Sequence, residues 1–304
     1  MKKNKLIYLV VTLILITVSF FGISKVTDNI YKSEKLVFNE NNTTELSEQS
    51  KYTVGNYYLV KDNWILGKFS KIIQDDKMQI YADAINTLSN NARTQNKDVY
   101  FISMTHKTNM LKHLYPDFVM NKENIDLNKQ SFKSKLDKNN ISFIDIDGYF
   151  LSNFTESQRE KFYFKTDHHW NGLGAFEGFK FMINNVNLGL SNDTINSYLD
   201  GYRIKEVKEK EFLGSYNRKL NLIVKEKEFA NYVYRNGSKL EYYICDGYTD
   251  KKISEKNIMA TLRKKDSWDY GGAYMRGTNC NILKIRNKNS LSDKKVLVFR
   301  DSYQ

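Results

Sequence analysis

The chain opens with a long apolar stretch and then alternates shorter apolar and polar segments. The run from Leu6 to Ser24 carries no charge, and lysines precede it. A helix over this run would span about 28 Å, close to a bilayer core of about 30 Å. Positive charge before it places the N-terminus in the cytoplasm and the remainder outside. A cleaved signal peptide is the alternative, but Gly22-Ile23-Ser24 is a poor small-x-small cleavage site. We therefore predict a single-pass membrane anchor over 1–24.

The polarity of the next segment predicts a stalk followed by a folded domain. Residues 25–55 are rich in Asn, Glu, Ser and Thr and lack apolar periodicity, which is typical of a polar linker. Order is predicted to begin with Tyr57–Val60 and Trp64–Leu66, two apolar segments around a Lys61-Asp62-Asn63 turn that predict a hairpin. The folded domain is assigned to 56–304.

The middle of the chain has the pattern of a parallel sheet. A helix is predicted over 75–96, with a stripe formed by Met78, Tyr81, Ile85, Leu88 and Ala92. A strand over 98–104, a polar helix over about 128–139 and a strand over 141–146 follow. Strand, helix and strand in this order predict a right-handed βαβ unit.

The second half begins with helical signals and becomes β-rich. Thr155 and Gln158 have capping-box spacing, and Asn171 can cap a helix. That helix carries an apolar stripe and poor helix formers at 172, 174 and 178, which indicate close packing. Three segments, 222–229, 232–234 and 240–244, predict a meander with a turn at Asn236-Gly237. Val296–Phe299 predicts a last buried strand.

Composition narrows the possible partners. The net charge of +12 is spread along the chain, which suits an anionic neighbour such as nucleic acid, a membrane surface or a cell-wall polymer. No RNA-binding signature, paired zinc cysteines or basic helix is present, so nucleic acid is the least favoured partner. Cys245 and Cys280 lack CxxC spacing, and either one disulfide or two buried thiols fits them.

The candidate chemistry lies in Thr166-Asp167-His168-His169-Trp170, which holds two of the chain's 4 histidines. A carboxylate two residues before an imidazole can hold its Nδ1–H and fix its tautomer, with Nε2 to take a proton. Ser302 follows the predicted last strand, where α/β folds present a nucleophile. This predicts that Ser302 attacks an acyl carbonyl, His169 is the base and Asp167 orients it. From spacing alone, an ordinary structural role for these residues also fits.

This stretch resembles the signature of the DHHW protein family. That family is similar to the acetyltransferase-like SGNH-hydrolase domains that O-acetylate exported polysaccharides such as alginate. Val296 to Tyr303 resembles the strand and Asp-Ser-Tyr turn that those proteins carry later in the chain. The resemblance implies an α/β three-layer sandwich with a mostly parallel sheet and an irregular β-rich insertion. It also implies a triad of Asp167, His169 and Ser302, with His168 and Trp170 either supporting the triad or contacting the substrate.

Two departures from the family pattern stand near the nucleophile. Arg300 occupies a position where family members often have glycine. The chain as given stops at Gln304, whereas the family continues with a helix whose N-terminal amides would serve an oxyanion. We therefore expect a fold that is incomplete at its C-terminus.

Other loop residues are candidates near the reacting atoms. We expect oxyanion donors among Gly214, Gly277 and Asn279, although ordinary turn chemistry fits them too. Thr105-His106-Lys107 follows a strand and is a candidate for the pocket wall or a solvated loop.

Two other classes of function remain open. A metal-dependent phosphoesterase would use Asp167-His168-His169, but only Asp145 and Asp147 are nearby strand-end carboxylates, and such enzymes need more. A non-catalytic or degenerate tethered domain would bind glycans through its lysines and aromatic rings.

The function we expect is extracytoplasmic transfer of an acyl group, acetyl in the simplest case, to or from a cell-surface polysaccharide. It would be an O-acetyltransferase or acetylesterase of the SGNH type. It would need no cofactor and no metal, and a membrane protein would deliver the acyl group.

Overall fold

The computed structural model describes residues 52–245, 248–254, 266–267 and 282–300, all within the compact unit Ser47–Gln304. The helices are α1 (Asp75–Arg93), α2 (Lys107–Met110), α3 (Asn124–Lys135), α4 (Ile146–Asn153), α5 (Glu156–Glu160), α6 (Gly172–Asn185), α7 (Asn192–Leu199) and α8 (Ser215–Lys219). The strands are β1 (Thr53–Val54), β2 (Tyr57–Val60), β3 (Trp64–Gly67), β4 (Val99–Ser103), β5 (Ile141–Asp145), β6 (Tyr202–Phe212), β7 (Glu228–Arg235), β8 (Leu240–Cys245), β9 (Asp250–Ile253), β10 (Asp266–Ser267) and β11 (Ile282–Asn287).

The predicted hairpin is confirmed. β2 and β3 pair antiparallel from Tyr57↔Gly67 to Val60↔Trp64. Every residue of β3 is buried, and Trp64 and Leu66 enter the main core together with Phe150 and Trp170. The hairpin therefore lies directly against the segment that carries the histidines.

The predicted strand–helix–strand unit is confirmed in its pairing. β4 and β5 are parallel from Val99↔Ile141 to Ser103↔Asp145, with α3 between them in the chain. The stripe predicted for α1 is partly wrong, because Tyr81 is 59% and Leu88 is 42% exposed. The buried positions are Met78, Ala82 and Ser89. A serine occupies this face because its hydroxyl donates to the carbonyl of Asn140 at 2.8 Å, so an apolar pattern could not show the register.

Both predicted helix caps are present. Thr155 and Gln158 form the capping box of α5, and Asn171 Oδ1 accepts from the amides of Leu173 and Gly174 at the start of α6. Of the apolar stripe predicted for α6, Ala175 and Val186 are partly buried and pack against the main core, whereas the buried residues of the helix are Gly172, Gly174 and Gly178. The predicted close packing through these glycines is confirmed: a Cβ on Gly178 would lie 2.8 Å from the Trp170 ring.

The predicted meander is wrong in its pairing. β7 pairs antiparallel with β6, whereas β8 pairs with β9 and β11. In the described residues β7 and β8 therefore belong to two different three-stranded sheets, β10-β6-β7 and β11-β8-β9. The reason lies in β6, a long strand that pairs with β7. Its many charged residues lack the apolar alternation that would predict a strand.

The strand predicted at Val296–Phe299 is not observed. These four residues have no regular secondary structure and are 67%, 78%, 59% and 69% exposed. Just before them, the Ser292 hydroxyl donates to the carbonyl of Leu188 at 2.7 Å. The segment thus leaves the body next to the end of α6 and finds no strand to pair with among the described residues.

The mixture of helices and small sheets is consistent with the predicted α/β class. The sheet is not mostly parallel over the described ranges, because only β4–β5 and β10–β6 pair in parallel. The predicted anchor (1–24) lies outside the described residues, as does nearly all of the predicted stalk (25–55). Within the part of the chain that the structure describes, no helix is long and apolar enough to cross a membrane.

Candidate active site

The segment from Tyr163 to Asn171 forms a closed loop above the core. Tyr163 and Trp170 form an isolated antiparallel bridge at its base, and both side chains are buried in the main core. Trp170 packs against Gly178, which has no side chain to keep the indole away. Trp170 therefore anchors the loop to the core and fixes the position of Asp167 and His169 relative to it.

Asp167 and His169 form the pair expected of an oriented base. The Asp167 carboxylate is fully buried, and its Oδ1 accepts from the His169 backbone N–H at 3.0 Å and from its Nδ1 at 2.7 Å. A carboxylate only accepts, so Nδ1 carries the proton and Nε2 is the basic nitrogen. One carboxylate oxygen thus fixes both the tautomer and the orientation of the ring.

A second element, α8, holds the other oxygen. The Ser215 backbone N–H donates to Asp167 Oδ2 at 2.6 Å. Gly214, just before it, has φ 71, and a Cβ there would lie 2.2 Å from the Thr166 carbonyl oxygen. Only glycine allows this approach. Gly214, which we expect among the oxyanion donors, lies next to the Asp167 loop, and its observed effect is to bring the start of α8 onto Asp167.

His168 lies beside the pair and supports it. Its Nδ1 is 3.1 Å from the Ser215 hydroxyl and 3.3 Å from Asp167 Oδ1. The rings of His168 and His169 are 3.7 Å apart between centroids, and Tyr216 stacks on the outer side of His168 at 5.5 Å. His168 is thus in contact with the orienting carboxylate rather than remote from it.

The backbone before the histidines is held at the amides of Lys165 and Thr166 and at the carbonyls of residues 165–167. Glu228 accepts from the amides of Lys165 and Thr166, at 2.6 and 2.9 Å, and from the Thr166 hydroxyl. Lys107 Nζ donates to the carbonyls of Lys165 and Asp167, at 2.9 and 2.8 Å. The carbonyl of Thr166 accepts from the first turn of α8.

The electrostatics favour a charged Asp167 among neutral imidazoles. Burial alone would raise the pKa of the Asp167 carboxyl, but the hydrogen bond from His169 and the nearby histidines outweigh it and hold that pKa well below its usual value. Burial lowers the pKa of His168 to about 4 and that of His106 to about 4. A proton arriving on His169 near pH 7 therefore meets one carboxylate and two uncharged rings.

The other predicted residues divide into two groups. Thr105, His106 and Lys107 reach this region: the Thr105 hydroxyl lies 2.7 Å from the Tyr163 hydroxyl, and Lys107 is buried against the loop. The remaining site candidates lie outside the described residues: Ser302, Gly277 and Asn279. Cys280 lies outside them as well, so the possible disulfide with Cys245 stays open.

Asp167, His168 and His169 also have the composition of a metal site, with ligand atoms within 4.8 Å of one another. Both oxygens of the carboxylate already accept short hydrogen bonds, and each histidine faces Asp167 through Nδ1. A metal ion would have to displace these donors. The geometry fits an Asp–His pair better than a ligand set.

Sequence reasoning missed two residues that shape this site and left the role of a third open. Glu228 was assigned only to a predicted strand and Ser215 to no role, and Lys107 was a candidate for the pocket wall or a solvated loop. Nothing in the one-dimensional pattern marks a buried lysine or glutamate. The unusual Gly214-Ser215 step was the one available signal.

Comparisons with known proteins show which solved structures share this fold. No family model and no curated protein matches the chain. It is similar to Bacillus cereus PatB1, with 23% identity and a TM-score of 0.63 over 77% of this chain and 76% of that one. It is also similar to PatB1 with a sulfonyl adduct, with 22% identity and a TM-score of 0.61 over 78% of this chain and 74% of that one. Its similarity to the O-acetyltransferase domain of Pseudomonas putida AlgJ is weaker, with 14% identity and a TM-score of 0.43 over 71% of this chain and 78% of that one. The chain therefore shares the fold of PatB1.

Proposed function

We propose that this protein transfers or removes an acyl group, acetyl in the simplest case, on a cell-surface polysaccharide. The reaction runs through Ser302, His169 and Asp167. The observation that carries the proposal is the buried Asp167–His169 pair, with 2.7 Å between Oδ1 and Nδ1. This arrangement is costly to bury, and it gives an imidazole whose Nε2 is ready to accept a proton.

The position of residues 292–294 supports Ser302 as the nucleophile. Ser292 is hydrogen-bonded to Leu188, and the amide of the neighbouring Asn187 donates to the Tyr100 hydroxyl at 2.9 Å. Tyr100 is near the start of β4, so Ser292 is linked to that strand through Leu188, Asn187 and the tip of the Tyr100 side chain. Eight residues of extended chain, from 294 to 302, reach about 26 Å. Paired alongside β4, the segment would carry Ser302 past Ser103 to the edge where Thr105, His106 and the Asp167 loop meet.

Burial favours the same pairing. Val296 to Phe299 are more than half exposed, and fully burying one such side chain is worth about 1.5–3 kcal/mol. A strand added to the β4 edge would extend the parallel sheet. It would also move the fold towards the three-layer sandwich implied by the resemblance to the SGNH-type acetyltransferases.

The reaction proceeds in two balanced steps. Ser302 Oγ attacks the acyl carbonyl carbon while His169 Nε2 takes its proton, and the leaving oxygen departs with that proton. The acyl-serine is then attacked by a sugar hydroxyl or by water, with His169 again moving the proton. Asp167 stabilises the imidazolium in both steps, and no cofactor or metal takes part.

The sulfonyl adduct of PatB1 supports this chemistry. A sulfonyl adduct is compatible with acyl transfer through a nucleophilic side chain. The apolar run over 1–24, the polar stalk over 25–55 and the net charge of +12 fit a tethered domain facing an anionic polymer. Acyl-CoA is cytoplasmic, so a membrane protein would supply the acyl group.

The full-length chain and three variants test the proposal with p-nitrophenyl acetate. We expect hydrolysis that EDTA leaves unchanged and that Ser302→Ala or His169→Ala each reduce by about 10³-fold or more. Asp147→Asn, a buried carboxylate elsewhere, is the matched control. Activity that survives Ser302→Ala would exclude the triad. Loss with EDTA would favour a metal phosphoesterase, and glycan binding without hydrolysis would favour a binding domain.

A further inference from the structure

Lys107 is buried in an unusual way. It is the first residue of α2 and 1% exposed. Its Nζ donates to three backbone carbonyls, those of Ile65 at 2.8 Å, Lys165 at 2.9 Å and Asp167 at 2.8 Å. The side chain thus joins the β3 hairpin to the loop that carries His169.

Three carbonyl acceptors define the protonation state that fits. An ammonium has three N–H donors, whereas a neutral amine has two and a lone pair that would face a carbonyl oxygen. The Trp64 and Tyr216 rings lie 5.1 and 5.7 Å from Nζ, and their faces attract a cation. The contacts are therefore those of a charged lysine.

The opposite charge acts on the same backbone. Glu228 accepts from the amides of Lys165 and Thr166, while Lys107 takes the carbonyls of Lys165 and Asp167. A cation on the acceptors and an anion on the donors hold one short backbone segment from two sides. His169 follows two residues later, so its ring direction depends on this segment.

We propose that Lys107 is a positioning residue, which works with Glu228 to fix the backbone of residues 165–167 and thereby aims His169. Its effect on rate rests on the proposed acyl transfer, whereas its effect on the loop does not. Lys107 touches neither substrate nor the reacting atoms and acts only through the loop.

The groups that face Lys107 make this hold sensitive to pH. They are Glu228 from β7, Asp167 from the loop, His106 from the preceding turn and Tyr216 from α8. Burial lowers the pKa of Lys107 to about 7, with Glu228 and Asp167 opposing the shift. The lowered pKa of His106 and the raised pKa of Tyr216 keep both of those groups neutral in this range. Loop order should therefore fall as pH rises through about 7.

The stability contribution of the same group has the opposite sign. Because its folded pKa is below the unfolded value of about 10.4, the unfolded chain binds more protons between those values. The Lys107 contribution to stability then rises with pH over that window. As pH rises, the loop should therefore become less ordered while the Lys107 contribution to stability increases. These opposite pH dependences distinguish a positioning role from a general stabilisation of the fold.

Hydrogen exchange of the peptide spanning 162–170, corrected for intrinsic rates, tests the proposal in the full-length chain. Lys107→Met should raise exchange there by about tenfold or more, as for one lost charged hydrogen bond. It should also lower kcat for p-nitrophenyl acetate by about 10²-fold, with KM changed far less. Lys129→Met, a half-buried lysine paired with Asp145 and Asp147, should leave this peptide unchanged.

A second measurement needs no variant. Wild-type protein should protect the same peptide less at pH 8 than at pH 6. Equal protection at both values, or unchanged exchange in a folded Lys107→Met variant, would overturn the proposal. Wild type without esterase activity but with the expected exchange would instead refute the acyl-transfer function and leave the positioning of the loop standing.

Discussion

Replacing Asp167 with asparagine probes the pair on which the account depends. The two side chains have nearly the same size, but the amide has one oxygen where the carboxylate has two. In the native protein Oδ1 serves both N–H groups of His169, and Oδ2 serves the Ser215 amide. In Asp167→Asn, the new NH₂ must therefore face an N–H donor on one side or the other.

The size of the effect follows from these contacts. If the amide oxygen faces His169, the Ser215 N–H loses a charge-assisted bond, at a cost of about 1.5–3 kcal/mol of stability. If it faces Ser215, the imidazole must take the wrong tautomer. In either case the imidazolium loses its counter-charge. We expect kcat/KM to fall by about 10⁴-fold, as when the orienting aspartate of a triad becomes asparagine, or about 5 kcal/mol of transition-state stabilisation.

The assay is p-nitrophenyl acetate hydrolysis between pH 5 and 8, together with urea unfolding of the same samples. Asp147→Asn is the matched control, since Asp147 is also buried and hydrogen-bonded, to Asn109 at 2.6 Å and Lys129 at 2.9 Å. It should lose stability without a comparable loss of rate. An Asp167→Asn enzyme within about tenfold of wild type would refute the proposed role of the carboxylate.

Three further outcomes are expected. Gly214→Ala should unfold at lower temperature by calorimetry and lose most activity, because a Cβ 2.2 Å from the Thr166 carbonyl pushes α8 away; an unchanged melting temperature would contradict this packing. Leu297→Asp should abolish esterase activity with little effect on melting, whereas Leu127→Asp, at an exposed leucine of α3, should leave both intact; equal activity in the two variants would exclude pairing of the 296–299 segment. The pKa of Asp167 is held below its usual value. Its contribution to stability is therefore present above about pH 4 and is lost as the pH falls below it. The difference in unfolding free energy between wild type and Asp167→Asn, measured by urea titration, should accordingly become smaller on acidification.

The parts of the fold visible in the sequence were those with a local cause. The β2–β3 hairpin, the β4–β5 pair and the Thr155 and Asn171 caps each follow from turn residues or short apolar runs. The pairing of β7 could not be predicted, because its partner β6, the central strand of β10-β6-β7, is rich in charged residues and lacks a clear apolar alternation. On α6 the glycines at 172, 174 and 178 indicated close packing, although glycine carries no hydrophobic signal that marks a buried face.

The candidate site divides in the same way. Asp167 and His169 are two residues apart, so their contact is nearly a local property and could be inferred from spacing. Lys107 and Glu228 lie 60 or so positions from the loop, and each would ordinarily be assigned to solvent. Only folding shows that Lys107 and Glu228 hold one backbone segment. The position of Ser302 is still a prediction, since that residue lies outside the described chain.

The most direct test of the account is to find which side chain of the full-length protein becomes sulfonylated. Phenylmethylsulfonyl fluoride forms a sulfur–oxygen bond with an activated serine and releases fluoride, and peptide mass spectrometry locates the product. The account predicts one adduct, on the peptide that contains Ser302, and its loss in His169→Ala. An adduct on Ser215 instead, or labelling of Ser302 that persists without His169, would contradict it.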